Sequence, residues 1–355
     1  MERTVVKHMK LPSINGLRAI SILIVIIHHL SGQNNIFKNC QNIKFLKPII
    51  DFIQDGQMGV NVFFVISGFL ITYLLINEEL NTKKVSLKNF YIRRTFRIFP
   101  AYYFMLLVYL LLQLFGYIQI SNMSWLTSVT YTKYFNVKLD WITGHAWSLS
   151  IEEQFYLFWP FVFILGNKFR KSVAFFLVII VPLFRLYFHY FPVYWINELT
   201  IFMRIDSIAV GCLFALYKDE IIKKIQKKWN LIFVLSIVLL FFLRYFNKIM
   251  DKLNMSNIGV FFGGTHGTLA NFLIALIMMY SIFGTKGFWH KLMNSSALNY
   301  IGMISYSLYL WQQFFINNTS NWYNVFPLNL VLIFIVANIS YYFVEKPFLK
   351  LKDKF

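Results

Sequence analysis

The sequence predicts an all-α integral membrane protein, a bundle of about ten transmembrane helices with both termini cytoplasmic. Three observations carry that fold class. Apolar residues make up 58% of the 355-residue chain and charged residues only 14%, well off the ordinary globular balance of roughly half apolar and a quarter charged. Apolar runs long enough to cross about 30 Å of hydrocarbon recur along the whole length. Lysine and arginine gather in alternate connecting segments, those on the side of the N-terminus, which is the bias that sets orientation.

The runs fall near residues 15–32, 58–77, 99–116, 146–166, 172–191, 198–217, 229–246, 266–284, 298–317 and 328–345. The first, within "GLRAISILIVIIHHL", follows a polar and basic Met1–Lys10 with no small-residue cleavage site behind it, so it reads as a retained helix rather than a secretory signal. It buries Arg18, His28 and His29. A charge at mid-bilayer costs at least about 2.5–3.5 kcal/mol, and such residues usually face the bundle interior. Arg18 and His29 return to within about 20° of one face and lie about 16 Å apart along the axis. Asn15 and Ser21 widen that face, while His28 points about 100° away from His29. Snorkelling of Arg18 to lipid phosphates, with both histidines as interfacial residues, is the competing account; the alignment of Arg18 with His29 favours function.

The second run contains "FFVISGFLIT", where Ser67 and Gly68 fit close helix packing. Ahead of the third stands "FYIRRTFRIFPAYY", whose Arg93, Arg94 and Arg97 are expected just cytoplasmic of a helix beginning near Pro100. A positive-inside stop gives the same composition, yet arginines rather than lysines suit bidentate phosphate binding from the cytoplasm. The fourth run, "HAWSLSIEEQFYLFWP", brings Glu152 and Glu153 into an aromatic helix with His145 and Trp147 at its start. Glutamates in a first turn can serve the macrodipole; a carboxylate beside an imidazole can also orient a general base. In the sixth, "FMRIDSIAVG" buries Arg204 and Asp206, two residues apart and so expected to find partners on other helices. The fifth, seventh and eighth runs are apolar spans with no comparable cluster. "SYSLYLWQQ" in the ninth holds Tyr309, and "YYFVEKPF" in the tenth places Glu345 near the cytoplasmic boundary, where pairing with Lys346 or a loop arginine is the plain alternative.

Only a short basic tail follows, so residues 1–355 are expected to be a single membrane domain without an appended soluble unit. The two halves carry no internal repeat, one of the better pointers to a secondary transporter. The net charge of +19 serves topology and attraction to anionic lipid or phosphate-bearing ligands. It is spread over many short loops, which argues against nucleic acid. Cys40 and Cys212 are far apart and suggest no disulfide framework.

Taken in order, these stretches resemble acyltransferase family 3, the multispanning membrane acyltransferases that modify glycans and other extracytoplasmic acceptors. The likeness runs from Gly16 to Pro347: Arg18 and His29 with ten residues between them, then "FFVISGFLIT", "RRTFRIFPAYY", "WSLSIEEQFYLFWP", "RIDSIAVG", "SYSLYLW" and "EKP". It implies O-acylation, commonly with acetyl from acetyl-CoA as cosubstrate and without a metal, of a hydroxyl on a surface polysaccharide or its lipid-linked precursor, at a bacterial inner membrane. By position it implies His29 as the catalytic histidine with Arg18 as its helix partner, Arg94 and Arg97 beside Arg93 near the CoA phosphates, and Glu152 as the motif carboxylate. Trp147, Ser67, Tyr309 and Glu345 become the candidates for substrate contact. The family often has a histidine after "SYSLYLW" where this chain has Gln312. Members with a C-terminal hydrolase-like domain complete transfer outside the membrane; this sequence points to action alone or with a separate extracytoplasmic partner. Two other classes compete: a transporter or flippase for a lipid-linked glycan, using the buried charges as a solute path, and a non-catalytic membrane subunit.

Overall fold

The computed structural model describes residues 11–34, 47–136, 138, 140–194, 196, 199–252, 256–319, 321–352 and 354; Met1–Lys10 and Cys40 lie outside the described residues. Its helices run α1 (Ile14–Asn34), α2 (Lys47–Ile53), α3 (Gly56–Thr82), α4 (Leu87–Leu114), α5 (Asn122–Val129), α6 (Trp141–Gly144), α7 (Ala146–Ile164), α8 (Asn167–Tyr190) and α9 (Ile201–Leu216). They continue with α10 (Lys218–Ile225), α11 (Trp229–Lys252), α12 (Ser256–Phe283), α13 (Phe288–Met293), α14 (Ser296–Met303), α15 (Ser305–Phe315), α16 (Leu328–Ser340) and α17 (Lys346–Lys352). No strand occurs among the described residues.

Among the described residues, seven helical stretches are long and apolar enough to cross a membrane: Ile14–Asn34, Gly56–Thr82, Leu87–Leu114, Asn167–Tyr190, Lys218–Phe246, Phe262–Phe283 and Leu328–Lys352. The other three predicted runs are helical but fall short of that standard. α7 carries Glu152, Glu153 and several hydroxyls, α9 has only 16 residues, and the ninth run breaks into α14 and α15 at Ile304. Polar site candidates lower the hydropathy of α7, while α9 and the two short helices of the ninth run fall short on length.

α3 is the central post. In its most apolar stretch 72% of residues are buried, against 17% for α8 and for Lys218–Phe246, which turn Leu, Ile and Phe outward. Hydrocarbon offers no hydrophobic drive between helices, so association depends on close packing, and glycines provide it here. A Cβ on Gly68 would lie 2.0 Å from the Ile208 carbonyl oxygen, and one on Gly211 2.2 Å from that of Val65, so α3 and α9 meet backbone to backbone. α1 meets α14 and the end of α13 the same way, with Gly302 of α14 against the Asn15 carbonyl and Gly16 against that of Met293. Asn294 locks the start of α1, accepting from the Ser13 amide at 2.9 Å and donating to its hydroxyl at 2.8 Å.

One expectation is corrected. The third helix does not begin near Pro100: α4 starts at Leu87, capped by Ser86, whose hydroxyl accepts from the Asn89 amide at 3.3 Å. Pro100 sits inside it, where the missing N–H forfeits one hydrogen bond of a long ladder without ending it. Arg93, Arg94 and Arg97 are therefore helical residues with fixed directions, not loop residues. At the other end of the chain, Tyr341–Glu345 form a π-helical turn between α16 and α17. Such turns recur at functional sites, and this one ends on buried Glu345.

Candidate active site

Two polar clusters lie inside the bundle, and α1, α7 and α15 each contribute to both. The first surrounds Arg18, near the N-terminal end of α1. Arg97, Glu345, Glu152 and Tyr156 are its electrostatic neighbours. Arg94 lies with its guanidinium 4.8 Å from the centre of the Tyr156 ring and 5.8 Å from that of Phe90, a cation–π setting that holds the side chain without neutralising it. Tyr156, one turn after Glu152, donates to its Oε1 at 3.0 Å and also bonds the Ser67 hydroxyl. Glu345 accepts from Ser307 at 3.0 Å rather than pairing with Lys346, which sits over the Tyr342 ring.

Among the described residues Arg18, Arg94 and Arg97 form no salt bridge, whereas Arg93 does. It is bound to Glu78 of α3. The sequence grouped three arginines of α4 as phosphate ligands; the structure separates Arg93 from the two that face the carboxylates. Arg94 and Arg97, at i,i+3, share a face, and Arg93 looks toward α3 because one residue rotates it by about 100°.

The second cluster surrounds His29, about 16 Å along α1 from Arg18. His29 Nδ1 lies 3.0 Å from Gln312 Oε1, and the edge of Trp141 packs on the imidazole with ring centres 5.3 Å apart. His28, by contrast, is exposed and bonds the Gln54 carbonyl, so the helical phase that favoured His29 corresponds to the inward ring. A carboxylate beside an imidazole, the arrangement that Glu152 in the fourth run suggested, is not what the geometry gives. Glu152 lies in the second turn of α7, seven residues after its capping His145, and about 10 Å further along the axis. It belongs to the arginine cluster and is not a helix cap. Gln312 and Gln313 take the orienting role at the imidazoles. Gln313 Oε1 lies 2.8 Å from both the main-chain nitrogen and Nδ1 of His145.

Tyr309 and Ser148 stand between the clusters. Tyr309 donates to the His145 carbonyl at 2.9 Å and its oxygen meets Ser148 Oγ at 2.6 Å, so this candidate for substrate contact supports the turn that presents His145. Trp147 packs edge-on to Phe64 and lies 5.9 Å from the Arg204 guanidinium. Asp206 finds its partners across helices, as two-residue spacing from Arg204 requires: Arg185 of α8 at 2.8 Å, with Thr268 and Asn271 of α12. That knot ties α8, α9 and α12 together.

Outside the spans, the segment before α7 is fixed by fully buried Lys133. Its ammonium reaches Asp140 at 2.7 Å and Thr143 at 2.6 Å. Burial works to raise the Asp140 carboxyl, but the Lys133 ammonium and the Thr143 donors outweigh it and hold it at about 2. Asp140 also caps α6, accepting from the Thr143 amide at 2.7 Å. His145 and Trp141 are thus set by a rigid loop.

Sequence reasoning missed Gln313, Trp141, Tyr156 and the orienting role of Gln312. The signals were present, two adjacent amides and an indole beside apolar runs, but neither residue type titrates, and a search keyed to charge passes over them.

Comparison with known proteins gives the same grouping. A protein named "Putative O-acetyltransferase SACOL0978" from Staphylococcus aureus (strain COL) is 29% identical over 382 residues, covering 96% of this chain and 57% of its own. O-acetyltransferase OatA from Staphylococcus aureus (strain NCTC 8325 / PS 47) is 30% identical over 379 residues, with the same coverage of 96% and 57%. The chain therefore spans less than two thirds of the length of these curated relatives. No solved structure matches it. The acyltransferase domain family matches residues 11–344, nearly every described position, and to that family, acyltransferase family 3, the chain belongs.

Proposed function

We propose that the protein is a membrane O-acyltransferase that moves an acyl group, acetyl from acetyl-CoA, onto a hydroxyl of a cell-surface polysaccharide or its lipid-linked precursor. Residues 1–355 act as one multi-pass domain of a bacterial cytoplasmic membrane, with both termini cytoplasmic. The observation that carries this reading is the arrangement along α1. At one end stand three arginines without a salt-bridge partner among the described residues; at the other is an imidazole whose Nδ1 is held by an amide oxygen. A ligand with a polyanionic head and a long arm ending in a thioester suits that separation.

Arg94 and Arg97, flanked by Arg18, hold the CoA phosphates. Glu152 and Glu345 hold the guanidiniums in place, and Ser67 steadies Glu152 through Tyr156. With Gln312 accepting from Nδ1–H, His29 keeps its Nε2 lone pair for the acceptor hydroxyl. As that oxygen attacks the thioester carbonyl, its proton passes to Nε2. The C–S bond then breaks, and the departing CoA thiolate takes the proton. Trp147 and Tyr309 line the approach between the two clusters.

The relatives' names support an O-acetyl product, and the basic N-terminal side supports donor access from the cytoplasm. The test uses detergent-purified protein with radiolabelled acetyl-CoA and envelope glycan as acceptor. Transfer is expected for the wild type, and His29→Ala is expected to lower it by about 10²- to 10⁴-fold, the usual contribution of a positioned base. Transfer at the wild-type rate in that variant removes His29 from the reaction. CoA-independent movement of a lipid-linked glycan, with no acyl transfer, would establish the flippase reading instead.

A further inference from the structure

The buried histidine of the site, His145, has a defined proton and, among the described residues, no partner for its other nitrogen. Gln313 Oε1 lies 2.8 Å from the main-chain nitrogen of His145. A peptide N–H only donates, so the side-chain atom it meets is the carbonyl oxygen and not the amide nitrogen. The same oxygen is 2.8 Å from His145 Nδ1. Nδ1 must therefore carry the ring proton, and Nε2 is left with a bare lone pair.

That Nε2 is buried and meets no donor among the described residues; the residue as a whole is 2% exposed. A buried acceptor left unmet is costly and uncommon, so each one calls for an explanation. The surroundings give no room for an accidental orphan. Tyr309 holds the His145 carbonyl, its ring packs edge-on to the imidazole at 5.4 Å, and Asp140 caps the short helix just before it. These contacts fix the ring, and with it the direction of the lone pair.

Its position relative to His29 gives it a task. The two imidazoles are held by consecutive residues of α15, Gln312 and Gln313. Trp141, four residues before His145, lays its ring edge against His29 and donates from Nε1 to the Gln313 and Ile316 carbonyls. An indole, a lone pair that accepts from a hydroxyl and a neighbouring base together suit a sugar ring, which has an apolar face and several adjacent hydroxyls.

We infer that His145 Nε2 accepts a hydrogen bond from a sugar hydroxyl neighbouring the one that is acylated, and so fixes which ring position is presented to His29. This rests on the acyltransferase reading above. His145 is then a specificity-determining residue of the acceptor subsite, and His29 remains the base.

The test uses the full-length protein in detergent, acetyl-CoA, and envelope glycan prepared from the host after deletion of the gene. Asparagine places an amide where Nδ1 stands and nothing at Nε2, so His145→Asn keeps the Gln313 contact and deletes only the free acceptor. Glutamine reaches the Nε2 position, so His145→Gln restores an oxygen there. His145→Asn should raise the half-saturating glycan concentration at least about tenfold, leave that of acetyl-CoA unchanged, and spread acetylation over more than one hydroxyl by NMR. His145→Gln should recover most of the glycan affinity and the single position. Unchanged glycan half-saturation and regiochemistry in His145→Asn would overturn the inference. So would a fall in maximal rate alone, which would make His145 a support for His29. A wild type that transfers no acetyl group to the glycan fails the acyltransferase reading itself and takes this inference with it, a result distinct from either.

Discussion

Replacing Gln312 with leucine separates orientation of the base from the chemistry. The residue is fully buried and its side chain makes one hydrogen bond, from Oε1 to His29 Nδ1 at 3.0 Å, while its Nε2 meets no acceptor among the described residues. Leucine fills a similar volume and removes the unmet donor, so the melting temperature should stay close to the wild-type value. What is lost is the bias toward the Nδ1–H tautomer. A net hydrogen bond is worth about 0.5–1.5 kcal/mol, and about 1.4 kcal/mol is tenfold in rate, so Gln312→Leu should slow acetyl transfer by about 2- to 10-fold. His29→Ala in the same purified preparation should lose about 10²- to 10⁴-fold. Two results would refute the reasoning. A loss as large as that of His29→Ala would mean that the Gln312 amide acts on the reacting carbonyl itself, since removing an oxyanion donor costs about 10²- to 10³-fold. No loss at all would mean that the imidazole is oriented by something else.

Arg94→Ala and Arg97→Ala should each raise the KM for acetyl-CoA by about 10- to 100-fold, from the loss of charge-assisted bonds worth about 1.5–3 kcal/mol. Arg93→Ala, whose guanidinium is engaged by Glu78, should leave that KM unchanged. Gly68→Ala brings a methyl group to 2.0 Å from the Ile208 carbonyl, so α3 and α9 must separate at a cost of about 1–3 kcal/mol, read as a lower melting temperature. Gly32→Ala, where a Cβ meets nothing within 4 Å, should not lower it. The Asp140 carboxyl is held at about 2, below its ordinary 3.8, so its contribution to stability is complete above about pH 4 and lost as pH falls from there toward 2. Thermal melts across that interval should show a smaller decline for Asp140→Asn than for the wild type.

The helical phase of α1 was legible because one turn geometry relates residues of one helix, and it set His29 and His28 on different faces, as they are in the structure. Family membership was legible in the order of the motifs. The two-cluster arrangement was not, because it depends on which ends of α1, α7 and α15 lie side by side, and no single run encodes that. Glu152 was therefore assigned to the imidazole when it sits with the arginines. Arg94 and Arg97 were placed on one face by i,i+3 spacing, but Arg93 was still grouped with them as a phosphate ligand, because its pairing with Glu78 of α3 is a contact between helices that no single run encodes. The ten runs were read from hydropathy, while the structure has seven stretches that meet a span's length and apolarity. The shortfall lies in α7, where polar site residues displace apolar ones, and in α9 and the α14–α15 pair, which are too short.

Because α1, α7 and α15 each reach both clusters, none of them can tilt or slide without moving a member of each. Arg18 and His29 share one rigid rod, as do Glu152 with His145 and Ser307 with Gln312. In the proposed reaction, donor and acceptor would therefore bear on the same three rods, one at each end.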